Sequence, residues 1–412
     1  MNPKFSIIYP TKNRPDYLYY CLQSIKLQNF ENFEVIISDN CENKSAEPIY
    51  LEYQKDSRFK YFWTGGKLSM SDNFSFAIKL AIGDYLTVLT DKVTLLPSAL
   101  EVANKINLYN NFDVINWRET YFHNNILGLV NSPGYVIFPN VEFQLNTFNP
   151  NSQLIELLNF FKHRSKDPNN YYRGKIMFGF VRRELFAKEI NESTFFLKYA
   201  PDYTSRVIIL NRSIIGCEIP FPIQNAFISE SSNGMKCAIH PEFAYNFFND
   251  ADKLKNVNTF FPIKGMYASQ QNHVAGDYMF ALNMHNILLS IDFNNLLKTI
   301  YFDLKKVKWP NRKIKKDNYY LFYKSLLHSS IYNILNFIFI NFWTINFEIN
   351  SLKLKSFLRK YFIDKYPMIQ KFLELGIISK RNSFSNIIEA NYKLDLLLRK
   401  WIEGTDIKST KC

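Results

Sequence analysis

Cysteine and histidine are scarce in this chain, five and six among 412 residues. Cys21, Cys41, Cys217, Cys237 and Cys412 form no Cys-x-x-Cys pair and show no zinc-ligand spacing, so a zinc finger or ribbon is excluded. Their odd number and scatter fit free thiols in a reducing compartment better than a disulfide framework. No repeat period is evident, which argues against a solenoid or a propeller. No basic stretch followed by an apolar run opens the chain, so no secretory leader is expected and a cytoplasmic protein is.

Acidic residues are short in one place. From Thr299 to Cys412 the chain carries 21 Lys and Arg against 9 Asp and Glu, nearly the whole net charge of +13. The preceding residues are close to neutral. With 47% hydrophobic residues the chain can fold throughout, and its length suits two domains. We expect a domain over residues 1–250 and a helical, basic region over 251–412. Within that region, residues 305–316 interleave Lys and Arg with Val307, Trp309 and Ile314, and residues 325–347 lack Lys, Arg, Asp and Glu altogether. The charge-free stretch is long enough to cross a bilayer. Its His328, Ser329, Ser330, Asn333, Asn336, Asn341 and Asn346 point instead to amphipathic helices, packed on the rest of the protein or lying on a membrane. A basic face of this kind suits an anionic membrane surface, with peripheral attachment at the cytoplasmic side. Lys-rich runs also bind nucleic acid, but no nucleic-acid module accompanies these, so none is expected as a partner.

The informative part is the first quarter. Lys4 to Tyr9 reads as a buried strand cut by Pro10. The loop Thr11-Lys12-Asn13-Arg14 then leads to Pro15, suited to the first turn of a helix. Leu18, Cys21, Leu22, Ile25 and Leu27 give that helix an apolar face. Phe33 to Ser38 reads as a second strand ending at Asp39-Asn40, and Phe59 to Trp63 as a third. A helix from about Ser71 to Ile82 ends at Gly83. A fourth strand, Leu86 to Leu89, emerges at Asp91-Lys92. The order β-α-β-β-α-β predicts an α/β fold with a mainly parallel sheet flanked by helices. Such sheets place their chemistry at the carboxyl ends of strands, where Thr11–Arg14, Asp39-Asn40 and Asp91-Lys92 all fall.

The segment from Ser6 to Pro15, the strand from Phe33 to Asn40, Leu68 to Phe74, and Gly83 to Pro97 resemble, in order and spacing, the successive blocks of the family 2 glycosyltransferases. The resemblance covers roughly the first 120 residues and thins to scattered pieces up to about residue 240. It implies the GT-A fold and transfer of a sugar from a nucleotide-sugar donor to a hydroxyl of a glycan or lipid-linked glycan acceptor, as in bacterial capsule or lipooligosaccharide synthesis. It also implies roles: Pro10, Thr11, Asn13 and Arg14 cup the nucleotide base, Asp39 with Asn40 binds base or ribose, and Asp72 with Asn73 forms a second nucleotide contact. Asp91 and Lys92 stand at the aspartate motif that binds Mg²⁺ or Mn²⁺ and the donor diphosphate.

The chain departs from the family there, with Thr90-Asp91-Lys92-Val93 where relatives carry two or three acids. A single carboxylate is a poor Mg²⁺ or Mn²⁺ site, and Lys92 places a cation where the metal would be. Two readings stay open: Lys92 replaces the metal, or Lys92 faces solvent and Asp91 still binds one. Asp202, in Ala200-Pro201-Asp202-Tyr203, resembles the family's late acid and would be the catalytic base of an inverting displacement. As an Asp before a helical run it would equally serve as an N-cap. Trp117 and Arg118 close a strand and would wall the acceptor site, and His240 is a weaker candidate for the diphosphate or metal site. Two other functions fit the altered motif: a nucleotide- or glycan-binding domain without turnover, and a transferase of a non-sugar group.

Overall fold

The computed structural model describes residues 2–124, 129–138, 144–160, 169–197, 200–228, 236–237, 240–247, 261–328 and 381–404. They fall into two compact units. The first comprises residues 1–155, 166–229 and 381–412, the second residues 156–165 and 230–380.

The first unit is built on one sheet. Strand β1 (Phe5–Thr11) lies between β2 (Phe33–Asp39) and β4 (Tyr85–Val88), and β3 (Phe59–Trp63) flanks β2, all four parallel. Every residue of β1, β2 and β4 is buried. Their apolar runs do not alternate because helices cover both faces, as parallel sheets require. Helix α1 (Pro15–Lys26) begins on Pro15, whose missing N–H is free of cost in a first turn. The short α2 (Glu47–Leu51) precedes β3, and α3 (Met70–Lys79) leads back to β4. Gly83 makes that return: its N–H donates to Ser6 Oγ at 2.9 Å, and a Cβ there would stand 2.5 Å from the same atom. Only glycine lets the chain pass so close to β1.

Beyond β4 the ladder turns antiparallel. The strands β5 (Val93–Leu95), β6 (Val114–Asn124), β7 (Gly134–Ile137), β8 (Asn146–Phe148), β9 (Gly179–Arg182), β10 (Gly216–Phe227) and β11 (Arg381–Phe384) complete the sheet. Its main path runs β11-β7-β6-β9-β4-β1-β2-β3, with β10 parallel to β6 and antiparallel to β5 and β8.

The 251–412 region expected from sequence is divided at its end. The last strand and helix, β11 and Ile387–Gly404, belong to the first unit, with Ile387, Leu394, Leu398 and Trp401 buried in its core. Asp395 on this helix accepts from the Ser98 N–H at 2.7 Å and from Ser98 Oγ at 2.9 Å, at the start of α4 (Ala99–Asn110). A charge from the C-terminal helix therefore satisfies the end of a helix near the site.

The second unit is helical among its described residues: Gln270–Met284, Phe293–Lys306 and Arg312–Leu327, the middle helix packing on both neighbours. Its buried stripe is Leu296, Leu297, Ile300, Tyr301 and Leu304. Among the described residues no helix is long and apolar enough to cross a membrane. Most of the charge-free 325–347 stretch, from residue 329, lies outside the described residues.

Candidate functional site

Register brings the first two loops together. Thr11 pairs with Asp39 across β1 and β2, and the Asn40 N–H donates to the Thr11 carbonyl at 3.0 Å. Asn13 has φ of 57°, a left-handed turn that asparagine tolerates, and its N–H donates to Cys41 Sγ at 2.8 Å. The Lys12 ammonium donates to the Gly66 carbonyl at 3.2 Å. Asn40 donates to the Leu68 carbonyl and accepts from Thr64 Oγ1 and the Leu68 N–H. Ser38 Oγ donates to Asn73 Oδ1 at 2.6 Å. The loops 10–14, 39–41 and 64–73 are thus one bonded surface at the carboxyl ends of β1, β2 and β3.

Several expected contacts are spent on building it. Asp39 is fully buried and accepts from the Cys41 and Ala46 N–H groups, each at 2.9 Å, and from the Tyr61 hydroxyl at 3.0 Å. Asp72 sits in the first turn of α3, where Ser69 Oγ donates to its carboxylate and accepts its N–H. Ser69 is thus the N-cap of α3, with its hydroxyl held by the Asp72 carboxylate. Asn73 is buried. Trp63, which ends β3, donates through its indole N–H to the Cys41 carbonyl at 2.7 Å and is 45% exposed beside these loops, with the Lys44 ammonium 4.9 Å from its ring centre.

Asp91 follows β4 and closes onto β1. Thr11 Oγ1 donates to its Oδ2 at 2.9 Å, and the Arg14 guanidinium to its Oδ1 at 3.2 Å. Burial pushes the Asp91 carboxyl up, while Arg14 and the Thr11 hydrogen bond pull it back. Burial lowers the Lys92 ammonium, opposed by the Glu119 carboxylate. Both Asp91 oxygens are already engaged by a hydroxyl and a guanidinium. Among the described residues no three His, Cys, Asp or Glu side chains cluster as metal ligands would. A Mg²⁺ or Mn²⁺ ion bound here would have to share the Asp91 oxygens with Thr11 and Arg14.

A second group of charges continues from Lys92. Glu119 on β6 accepts from the Gln224 amide at 2.7 Å, and its carboxyl is pushed up by burial against the pull of Tyr121, Gln224, Lys92 and Lys175. Lys175 is completely buried, with Nζ 3.8 Å from Asp202 Oδ2 and 3.7 Å from the centre of the Tyr171 ring. Asp202 lies one residue into the helix Pro201–Arg212, after Pro201. The N-cap of that helix is Ala200, so the N-cap role open to Asp202 in the sequence is not used. Its side chain is 24% exposed.

Trp117 is a correction. Its side chain is wholly buried, donates to Gln224 Oε1 at 2.6 Å and packs edge-on against Phe180. It cannot wall an acceptor site, because β6 is covered on the face to which Trp117 points. Arg118, on the other face, shares Glu218 with Arg173, at 3.2 and 2.9 Å, and lines a cleft of ≈ 240 Å³ with Glu119, Tyr121, His123 and Tyr172. Pro10 does not cut β1 as expected but lies inside it, paired with Ser38 and followed by Thr11, and His240 falls in the second unit. Glu119 and Lys175 escaped sequence reading. The one available signal for Glu119 was an acid inside the apolar, aromatic run from Val114 to Phe122.

Residues 6–125 match the family model described as glycosyl transferase family 2. The GalNAc(5)-diNAcBac-PP-undecaprenol beta-1,3-glucosyltransferase of Campylobacter jejuni is 35% identical over 100 residues, 24% of this chain and 32% of that protein. The Escherichia coli glycosyl transferase WcaA, named for colanic acid biosynthesis, is 32% identical over 103 residues, 24% of this chain and 37% of that protein. The chain thus spans about a third of the length of these curated relatives. Among solved structures, S. aureus TarS 1-349 superposes with a TM-score of 0.44 at 17% identity, covering 80% of this chain and 93% of that one.

Proposed function

With residues 6–125 belonging to glycosyl transferase family 2, we propose that the protein moves a sugar from a nucleotide-sugar donor to a hydroxyl of a glycan or lipid-linked acceptor, inverting the anomeric carbon. The observation that carries this reading is the meeting of Thr11, Arg14 and Asp91 at the ends of β1 and β4. The nucleotide lies over the loops 10–14 and 39–41, and the exposed Trp63 ring offers a face for a base to stack on. The diphosphate meets Arg14 and Lys92, whose charges stabilise the leaving group in place of a divalent cation. Asp202 takes the proton of the acceptor hydroxyl as its oxygen attacks. The acceptor enters along the cleft of Arg118 and Glu119.

The name of the C. jejuni relative describes glucosyl transfer to an undecaprenol-linked glycan, and that of the E. coli relative colanic acid biosynthesis. Both support an acceptor in bacterial polysaccharide synthesis. A second reading draws on the occupancy of Asp91 by Thr11 and Arg14: a domain that binds nucleotide or glycan without turnover.

A thermal-shift screen with UDP-, GDP-, CMP- and dTDP-sugars, with EDTA or Mn²⁺, followed by transfer assays, separates these. We expect one nucleotide sugar to stabilise the protein equally in EDTA. The variant Asp202→Asn should bind that donor normally and lose transfer by about 10²–10⁴-fold. Stabilisation by none of them overturns the proposal, and binding without transfer selects the second reading.

A further inference from the structure

Resting on Asp202 as the proton acceptor, we infer that Lys175 is its positioning residue: a buried ammonium that fixes the Asp202 carboxylate in place. The side chain is completely buried, yet among the described residues none of its N–H donors has an acceptor within hydrogen-bond reach. At 3.8 Å the Asp202 contact is an ion pair rather than a hydrogen bond. The remaining stabilisation comes from ring faces, with Tyr171 at 3.7 Å, Tyr203 at 4.7 Å and Phe178 at 5.7 Å from Nζ.

A methionine would fill this aromatic box without burying a charge. The positive charge is therefore what the position supplies, and Asp202 is the carboxylate closest to it. Asp202 is partly exposed and Lys175 is not, so the carboxylate can reach a substrate while the ammonium cannot. In the transfer step the acceptor oxygen bonds the anomeric carbon, its proton passes to Asp202 and the nucleoside diphosphate departs. Lys175 neither gains nor loses a proton in that step.

The other charged groups facing Lys175 are Arg206, on the same helix as Asp202, and Glu119 on β6. Burial lowers the Lys175 ammonium to about 8, with Asp202 the main opposing influence. Transfer should accordingly fall as pH rises through about 8, where the ammonium becomes neutral. Stability should run the other way. The folded value lies below the ordinary lysine value, so between the two the unfolded chain holds more protons and stability rises with pH.

The test compares Lys175→Met and Lys175→Arg with wild type in kcat, donor KM and thermal unfolding from pH 6 to 9.5. We expect Lys175→Met to lose kcat about 100-fold with donor KM within about twofold. It should also unfold at a higher temperature than wild type at pH 7, an advantage that shrinks as pH rises past 8, so inactivity cannot be ascribed to misfolding. Lys175→Arg should restore at least a tenth of kcat and move the alkaline limb upward by more than one pH unit, because a guanidinium stays charged. Wild-type kcat and an unmoved limb in Lys175→Met sink the inference alone. A wild type that transfers no sugar removes it together with the functional reading.

Discussion

Asp91 and Lys92 are adjacent in sequence and opposite in what burial does to them. The carboxylate is tied to Thr11 and Arg14, while the ammonium is half-buried and desolvated, with Glu119 as its main opposing charge. A desolvated cation gains more from an incoming diphosphate than a hydrated one, since less water remains to be displaced. Lys92→Gln should therefore weaken nucleoside diphosphate binding by about tenfold, or about 1.4 kcal/mol, by calorimetry in EDTA. Added Mn²⁺ should not restore it, because Thr11 and Arg14 already hold both Asp91 oxygens. Recovery of wild-type affinity with Mn²⁺ would show that Asp91 releases Arg14 for a metal. Trp117 gives the contrasting case. Trp117→Phe removes the N–H that satisfies buried Gln224. It should cost about 1–3 kcal/mol in urea unfolding and leave acceptor KM unchanged.

At the scale of elements, the C-terminal helix Ile387–Gly404 is the least expected part of the first unit. Asp395 sits where a local N-cap would act for α4, whose own cap residue Ser98 makes no side-chain cap bond. The carboxylate also interacts with Arg399 at 2.9 Å. A negative charge at a helix start adds to the hydrogen bond it accepts. Asp395→Ala leaves the buried Ser98 N–H unpaired and should lower stability by about 2 kcal/mol, read as a shift of the urea midpoint at constant slope. The parallel half of the sheet was legible because its signals are local: Pro15 at the start of α1, Gly83 before β4, and apolar runs ended by polar loops. The site at Thr11, Arg14 and Asp91 followed from that order. The antiparallel half was not legible, since β6, β9 and β10 are apolar runs whose partners are set by tertiary contacts. Neither was the Asp395–Ser98 bond, which spans 297 residues. Lys175 acquires meaning only when Tyr171, Tyr203 and Asp202 fold around it, which no spacing along the chain announces.

For the molecule as a whole, the return of residues 381–404 to the first unit decides how the basic region must be tested. Truncation at residue 299 would remove β11 and the helix that satisfies α4, so loss of any property could be traced to an unfolded first unit. Point changes avoid this. Lys306, Lys308, Arg312, Lys313, Lys315 and Lys316 are exposed, with Asp317 as the acid among them. On the helix Arg312–Leu327, four cations fall within the first five residues, where the helix dipole disfavours positive charge. That placement weakens the helix slightly. We propose an anionic leaflet as the partner of this face, on the reading that the acceptor is held on a lipid. Each such cation contributes about 1 kcal/mol near the surface. Replacing Arg312, Lys313, Lys315 and Lys316 by Gln should then reduce binding to vesicles containing phosphatidylglycerol by about 10³-fold in co-sedimentation. The stability of the helix should rise slightly, and transfer to a soluble acceptor should not change. Salt should weaken wild-type binding over the range in which the Debye length falls to about 8 Å. Equal sedimentation of wild type and variant, or binding to neutral phosphatidylcholine vesicles of equal strength, would leave the basic face as a solvated surface with no role in membrane attachment.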